Sequence, residues 1–171
     1  MMHFSHCQPT KMNRSEFVAH FKDVYEHSPW VAEWVFDAGF SGNEDDINIM
    51  HQRMADTLLQ ADKSKQLALI NAHPDLAGRA AINGELTQAS TSEQAGAGID
   101  LCSAEEFERF TRFNQLYLNR FNFPFIKAVK GANRHQILES FEMRLDNDSE
   151  TEFSTALAEI NKIALFRLQD M

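Results

Sequence analysis

An imidazole, a carboxylate and a carboxamide fall within two dozen positions of this chain, in His73-Pro74-Asp75-Leu76-Ala77-Gly78-Arg79 and Ser90-Thr91-Ser92-Glu93-Gln94. His73 is the best acid–base candidate among the seven histidines, because an imidazole exchanges protons near neutral pH. Glu93 is a carboxylate that could orient it, and Gln94 offers both donors and acceptors to a polar ligand. Polar groups on a turned connection between helices suit a small-molecule site. Each residue also has a plain structural reading. A lone histidine at a helix end can be a cap. Ser90 and Glu93 have the Ser-x-x-Glu spacing of a capping box, although a helix N-terminus also presents N–H groups to an anion.

Arg167 is a further anomaly. It follows Ile160 by seven residues and so lies near the apolar stripe of Phe153, Ala156, Leu157, Ile160 and Ala164. There it either snorkels from the helix end or serves a buried anion.

The elements that position these residues read as helices throughout. Phe17, Phe21, Val24 and Tyr25 have helical spacing, with Ser15 as the cap. Ser28-Pro29 opens a short helix through Trp34 that Gly39 ends. Asp45 or Asp46 opens a third, carrying Ile47, Met50, Met54 and Leu58, and a fourth runs from about Ser64 to the His73-Pro74 boundary. Periodicity breaks between Asp75 and Gly98, which hold four of the seven glycines: Gly78, Gly84, Gly96 and Gly98. Ser103 with Glu106 and Ser149 with Glu152 have the spacing of capping boxes for two long helices, and Asn133 caps one between them. The expected fold class is all-α, a single-domain helical bundle. Residues 1–12 are read as an N-terminal extension open to flexibility, and 13–171 as the helical domain.

Composition narrows the function. A net charge of −9 argues against nucleic acid and against an anionic membrane surface, and no apolar run approaches the ~20 residues that span a bilayer. Cys7 and Cys102 form no CxxC pair, and residues 1–9 have neither the basic nor the apolar part of a secretory signal. A reduced, cytoplasmic protein is expected. His3, His6 and Cys7 are the only close His/Cys cluster and lack a second half, so no metal site is expected. Nucleophile elbows, phosphate loops, dinucleotide fingerprints and HExxH are absent from the sequence, which favours chemistry without a metal, nucleotide or covalent cofactor.

HPDLAGR (73–79), Leu86-Thr87, STSEQ (90–94), Phe123-Pro124-Phe125-Ile126 and Ala128-Val129-Lys130-Gly131 together resemble the 2-oxo-4-hydroxy-4-carboxy-5-ureidoimidazoline (OHCU) decarboxylases of urate degradation. The likeness runs in order from about Phe17 to Arg167. It implies an all-helical enzyme, usually a homodimer, that needs no cofactor and converts OHCU to (S)-allantoin and carbon dioxide. By position, His73 matches the catalytic histidine. Pro74, Ser90, Glu93, Gln94 and Arg167 match substrate contacts, and the residue chemistry adds Glu93 as the carboxylate that could orient His73 in catalysis. Phe125, Ile126, Lys127, Ala128 and Val129 match a segment that meets the substrate ring, partly through its backbone. The C-terminus, Leu168 to Met171, lacks the peroxisomal tripeptide common in animal relatives, which fits a cytoplasmic bacterial enzyme. Two other functions stand beside this one: a helical module whose Phe-rich grooves take a partner helix, and a ureide-binding protein without catalysis.

Overall fold

The computed structural model describes residues 1–77 and 86–171; Gly78 and Arg79 of the motif, and Gly84, lie outside the described residues. Among the described residues there are eight α-helices and no strand: α1 Arg14–Phe21, α2 Trp30–Asp37, α3 Ile47–Gln60, α4 Lys63–Ala72, α5 Gln88–Gly96, α6 Ala104–Phe121, α7 Arg134–Leu145 and α8 Ser149–Gln169. The class is all-α, as the periodicity predicts. The chain divides into two compact units, Met1–Ala72 with Ile160–Met171, and His73–Glu159.

In the first unit α1 packs on α2 and α2 on α3. Phe17, Phe21, Met50, Met54 and Leu58 are buried there. The first dozen residues are bonded to the start of α3. The Ile47 N–H donates to the Met2 carbonyl at 2.6 Å, the Thr10 N–H and hydroxyl both donate to Asp45 at 3.0 and 2.8 Å, and Phe4 is buried edge-on to Phe21. Tyr25 donates its hydroxyl proton to the Asn161 side chain at 2.8 Å, and the His51 ring meets the Asn161 carbonyl at 2.7 Å. These two bonds tie the end of α8 to α3 and the chain after α1.

In the second unit the stripe Phe110, Phe113, Tyr117 and Phe121 of α6 packs against Ile137, Leu138 and Phe141 of α7. Phe125 stacks on Phe141 with ring centroids 3.7 Å apart. Fully burying such a ring contributes about 2–3 kcal/mol, so the phenylalanine-rich composition is spent largely on this core.

Several caps differ from the expected ones. Asn13, not Ser15, caps α1, in a reciprocal box with Glu16. The Ser28 hydroxyl donates to the Glu26 carbonyl instead of capping α2. Thr87 caps α5, leaving Ser90 and Glu93 inside the helix, and Asp148 accepts the Thr151 N–H at the start of α8. The boxes at Ser103–Glu106 and Asn133–Gln136 form, as does the Asp46 cap of α3.

Glu44 holds the chain between α2 and α3. Its fully buried carboxylate accepts from the Ser41 N–H, the Ser41 hydroxyl and the Gly42 N–H, and pairs with Arg53 at 2.6 Å. Burial alone would raise its pKa, but the bonds from Ser41 and Arg53 outweigh burial and bring it down to about 2 from 4.5. A lowered folded-state pKa stabilises the fold above the unfolded value and loses that stability as pH falls through the folded one. Urea unfolding should therefore show stability declining between about pH 5 and pH 2. Glu44→Gln should flatten that decline and cost about 2 kcal/mol at neutral pH; an unaltered pH profile would discount the role assigned to Glu44.

Candidate active site

His73 is the first residue after α4, and Pro74 is the reason the helix stops there. The turn that follows cannot use helical hydrogen bonds, so its peptide groups need other partners. Two carboxamides provide them. Gln94 accepts the Ala77 N–H at 3.1 Å and donates to the Asp75 carbonyl at 3.3 Å. Asn114 of α6 donates to the Leu76 carbonyl at 2.9 Å. Ala77 itself has φ +54°, the left-handed region that non-glycine residues seldom enter. Such strain persists only where neighbours enforce it.

The Gln94 bonds bring α5 against the His73 turn. Ser90, Glu93 and Gln94 stand at i, i+3 and i+4, so they share one helix face. Ser90 and Gln94 are buried and Glu93 is half-buried, while His73 is 9% exposed and Pro74 half-buried. Because Thr87 takes over the capping, this face sits in the body of the helix beside the turn. The Asp75 carboxyl is pushed up by burial, although part of that residue reaches solvent.

The segment Phe125–Val129 belongs to the same unit and has no regular structure. Phe125, Ile126 and Val129 are buried, while Lys127 and Ala128 are half-buried. The Phe125 ring is taken up in the core stack and lies beneath the Arg144 guanidinium at 4.2 Å. Arg144 also donates to the Ile126 carbonyl at 2.5 Å and pairs with Glu152 at 2.8 Å. Glu152, fully buried, further accepts from the Tyr117 hydroxyl and from Asn147. Burial, reinforced by the bond to Glu152, pushes the Tyr117 phenol well above its ordinary range.

Arg167 belongs to the other unit, where its side chain is 9% exposed and pairs with buried Glu26 at 2.9 Å. It also donates to the Asp23 and Val24 carbonyls at 3.3 and 3.4 Å. It does not snorkel to water. A hollow of about 870 Å³ in that unit, lined by Phe4, His6, Cys7 and His20 among others, contains none of the predicted site residues. A smaller one of about 540 Å³ is lined by Ala77 and Gln94 and by Thr91, Cys102 and Phe107, but not by His73, Ser90 or Glu93. Among the described residues no three His, Cys, Asp or Glu side chains gather in a metal-binding group.

Sequence reasoning missed Asn114, Arg144, Glu152, Glu26 and Glu159, whose carboxylate accepts the Ala128 N–H at 2.9 Å. Two of them carried a signal. Asn114 is a carboxamide four residues after Phe110 and three before Tyr117, on the α6 core stripe, and Arg144 follows buried Ile137 by seven, the spacing that singled out Arg167.

The OHCU decarboxylase family model matches residues 10–169. An OHCU decarboxylase of Haloferax volcanii is 40% identical over 163 residues, covering 95% of this chain and 93% of that protein. The crystal structure of an (S)-allantoin synthase superposes with a TM-score of 0.74 at 30% identity and covers 95% of this chain. This chain spans about half of that longer one, 52%. A structure of an OHCU decarboxylase in the presence of (S)-allantoin has the same fold, with a TM-score of 0.70 at 22% identity over 88% of this chain. On the extent of these matches, the chain belongs to the OHCU decarboxylase family.

Proposed function

We propose that this OHCU decarboxylase acts through His73 as the proton-transferring group, with Glu93 orienting the ring. The observation that carries the reading is the Gln94 bridge to Asp75 and Ala77, which brings the face of α5 bearing Ser90, Glu93 and Gln94 to the turn that starts at His73. Proton transfer by a side chain requires this kind of fixed placement.

The substrate supplies its own electron sink. The carbon bearing the carboxylate and hydroxyl adjoins a ring carbon doubly bonded to nitrogen. When the bond to the carboxylate breaks, its electron pair forms a carbon–carbon double bond, the C=N pair moves to nitrogen, and that nitrogen takes a proton. Carbon dioxide leaves and an enol remains. His73 takes the enol hydroxyl proton as the neighbouring carbon gains one on a single face, which gives (S)-allantoin. Pro74, Ser90 and Gln94 contact the substrate from the turn and α5. Phe125, Ile126, Lys127, Ala128 and Val129 line its ring, partly through backbone. Arg167 binds a carbonyl or carboxylate oxygen. The family resemblance supports these assignments, and with them a homodimer working in the cytoplasm on a small ureide. No helix among the described residues is long and apolar enough to cross a membrane.

With freshly generated OHCU and circular dichroism of the allantoin formed, His73→Asn should lose at least about 100-fold in kcat while keeping its helical spectrum. Near-normal (S)-specific turnover would remove His73 from the mechanism. Glu93→Gln should lower kcat on the order of tenfold and still bind substrate; unchanged kcat would leave Glu93 a structural residue.

For Arg167 the informative change is to lysine. Alanine would remove the guanidinium that pairs with the buried Glu26 carboxylate, a loss of about 3–5 kcal/mol in stability. Lysine keeps the charge and loses the fork. Arg167→Lys should raise KM about tenfold with kcat little changed; an unaltered KM would confine Arg167 to its bond with Glu26.

A further inference from the structure

The segment 125–129 lies in neither a helix nor a strand, so something else must fix its backbone. Two charged side chains do. Arg144 of α7 donates to the Ile126 carbonyl at 2.5 Å and is itself held by Glu152 at 2.8 Å. Glu159 of α8 accepts the Ala128 N–H at 2.9 Å.

These two bonds act on consecutive peptide planes. The N–H and C=O of a trans peptide point in opposite directions. Holding the Ile126 carbonyl toward Arg144 therefore aims the Lys127 N–H the other way. Holding the Ala128 N–H toward Glu159 aims the Lys127 carbonyl away from Glu159. Among the described residues neither Lys127 backbone group has a hydrogen bond within the chain. The pinned backbone thus presents one donor and one acceptor on adjacent peptides, the complement of the alternating N–H and C=O groups of a ureide.

We propose that Glu159 is a positioning residue of the reaction, which together with Arg144 sets the Lys127 peptide groups that orient the substrate ring and so select the face that is protonated. The inference rests on the reading that the 125–129 segment meets the ring. Glu159 is half-buried and Arg144 sits in a buried network, so Glu159 can be altered with less risk to the fold.

The experiment compares Glu159→Ala, Glu159→Gln and Lys127→Gly with the wild type. KM, kcat and the handedness of the allantoin are measured at enzyme concentrations where turnover outruns uncatalysed decay, and urea midpoints serve as the fold control. Glu159→Ala should raise KM on the order of tenfold and reduce the (S) excess of the enzyme-dependent product. Glu159→Gln keeps an acceptor oxygen and should restore most of both. Lys127→Gly loosens the segment itself and should shift KM in the same direction. Wild-type KM and (S) excess in Glu159→Ala, alongside a raised KM in Lys127→Gly, would overturn the role of Glu159 and leave the segment in place. Wild-type values in both variants would overturn the segment reading as well. Equal loss in Glu159→Ala and Glu159→Gln would also overturn the proposal, because a structural charge and not an accepted hydrogen bond would then be at work.

Discussion

The Gln94 carboxamide spans the Asp75 carbonyl and the Ala77 N–H, and this bridge joins α5, which bears Ser90 and Glu93, to the turn that begins at His73. Pro74 forbids helical continuation, so the chain leaves α4 at His73 with peptide groups that would be costly to bury unbonded. Gln94 and Asn114 between them engage the Asp75 carbonyl, the Leu76 carbonyl and the Ala77 N–H. A left-handed alanine costs roughly 1–2 kcal/mol; these bonds offset it. The same bonds hold α5 against the turn. Gln94 is therefore both a predicted substrate contact and the brace of the turn that carries His73.

Much of the fold was legible because two independent signals agreed. Apolar residues at helical spacing identified the elements, and polar residues at their starts marked the ends. Asp46, Ser103 and Asn133 cap as read. The misreadings share a cause. Ser-x-x-Glu is a local pattern, and where another polar residue stands nearby the helix can begin elsewhere. Thr87 and Asp148 took the caps that Ser90 and Ser149 were expected to supply. Each shift relocates side chains. Ser90 and Glu93 enter the body of α5, and Glu152, read as half of a capping box, becomes the buried centre of a network with Tyr117, Arg144 and Asn147.

The site was less legible than the fold because its supports are long-range. His73, Glu93 and Gln94 stood out by type and spacing. Glu159 could not, since its partner is a backbone N–H 31 residues away, and no side-chain pattern encodes that. Arg144 could have been found. It obeys the spacing that singled out Arg167, following buried Ile137 by seven. Phe125 was matched through the resemblance alone, and its stacking on Phe141, which leaves the residue 1% exposed, depends on a partner 16 positions away that local spacing does not encode.

Two ion pairs on buried carboxylates among the described residues, Arg144 with Glu152 in one unit and Arg167 with Glu26 in the other, are not explained by stability alone. Burying two charges costs about as much as their attraction returns, and an apolar pair of similar volume is often as stable. What an apolar pair cannot do is donate hydrogen bonds. Arg144 uses its other N–H groups on the Ile126 carbonyl, and Arg167 does the same for the Asp23 and Val24 carbonyls. In both places the chain is outside a helix and its carbonyls need donors. A guanidinium has five N–H groups in a rigid fork, enough to bind a carboxylate and still hold a carbonyl. A lysine ammonium could supply the charge without the plane. An all-α protein has no sheet to brace its irregular stretches, and here arginines anchored by buried carboxylates brace them. The cost of burying these charges is therefore best understood as the cost of holding irregular backbone still, which a paired guanidinium does and an apolar pair cannot.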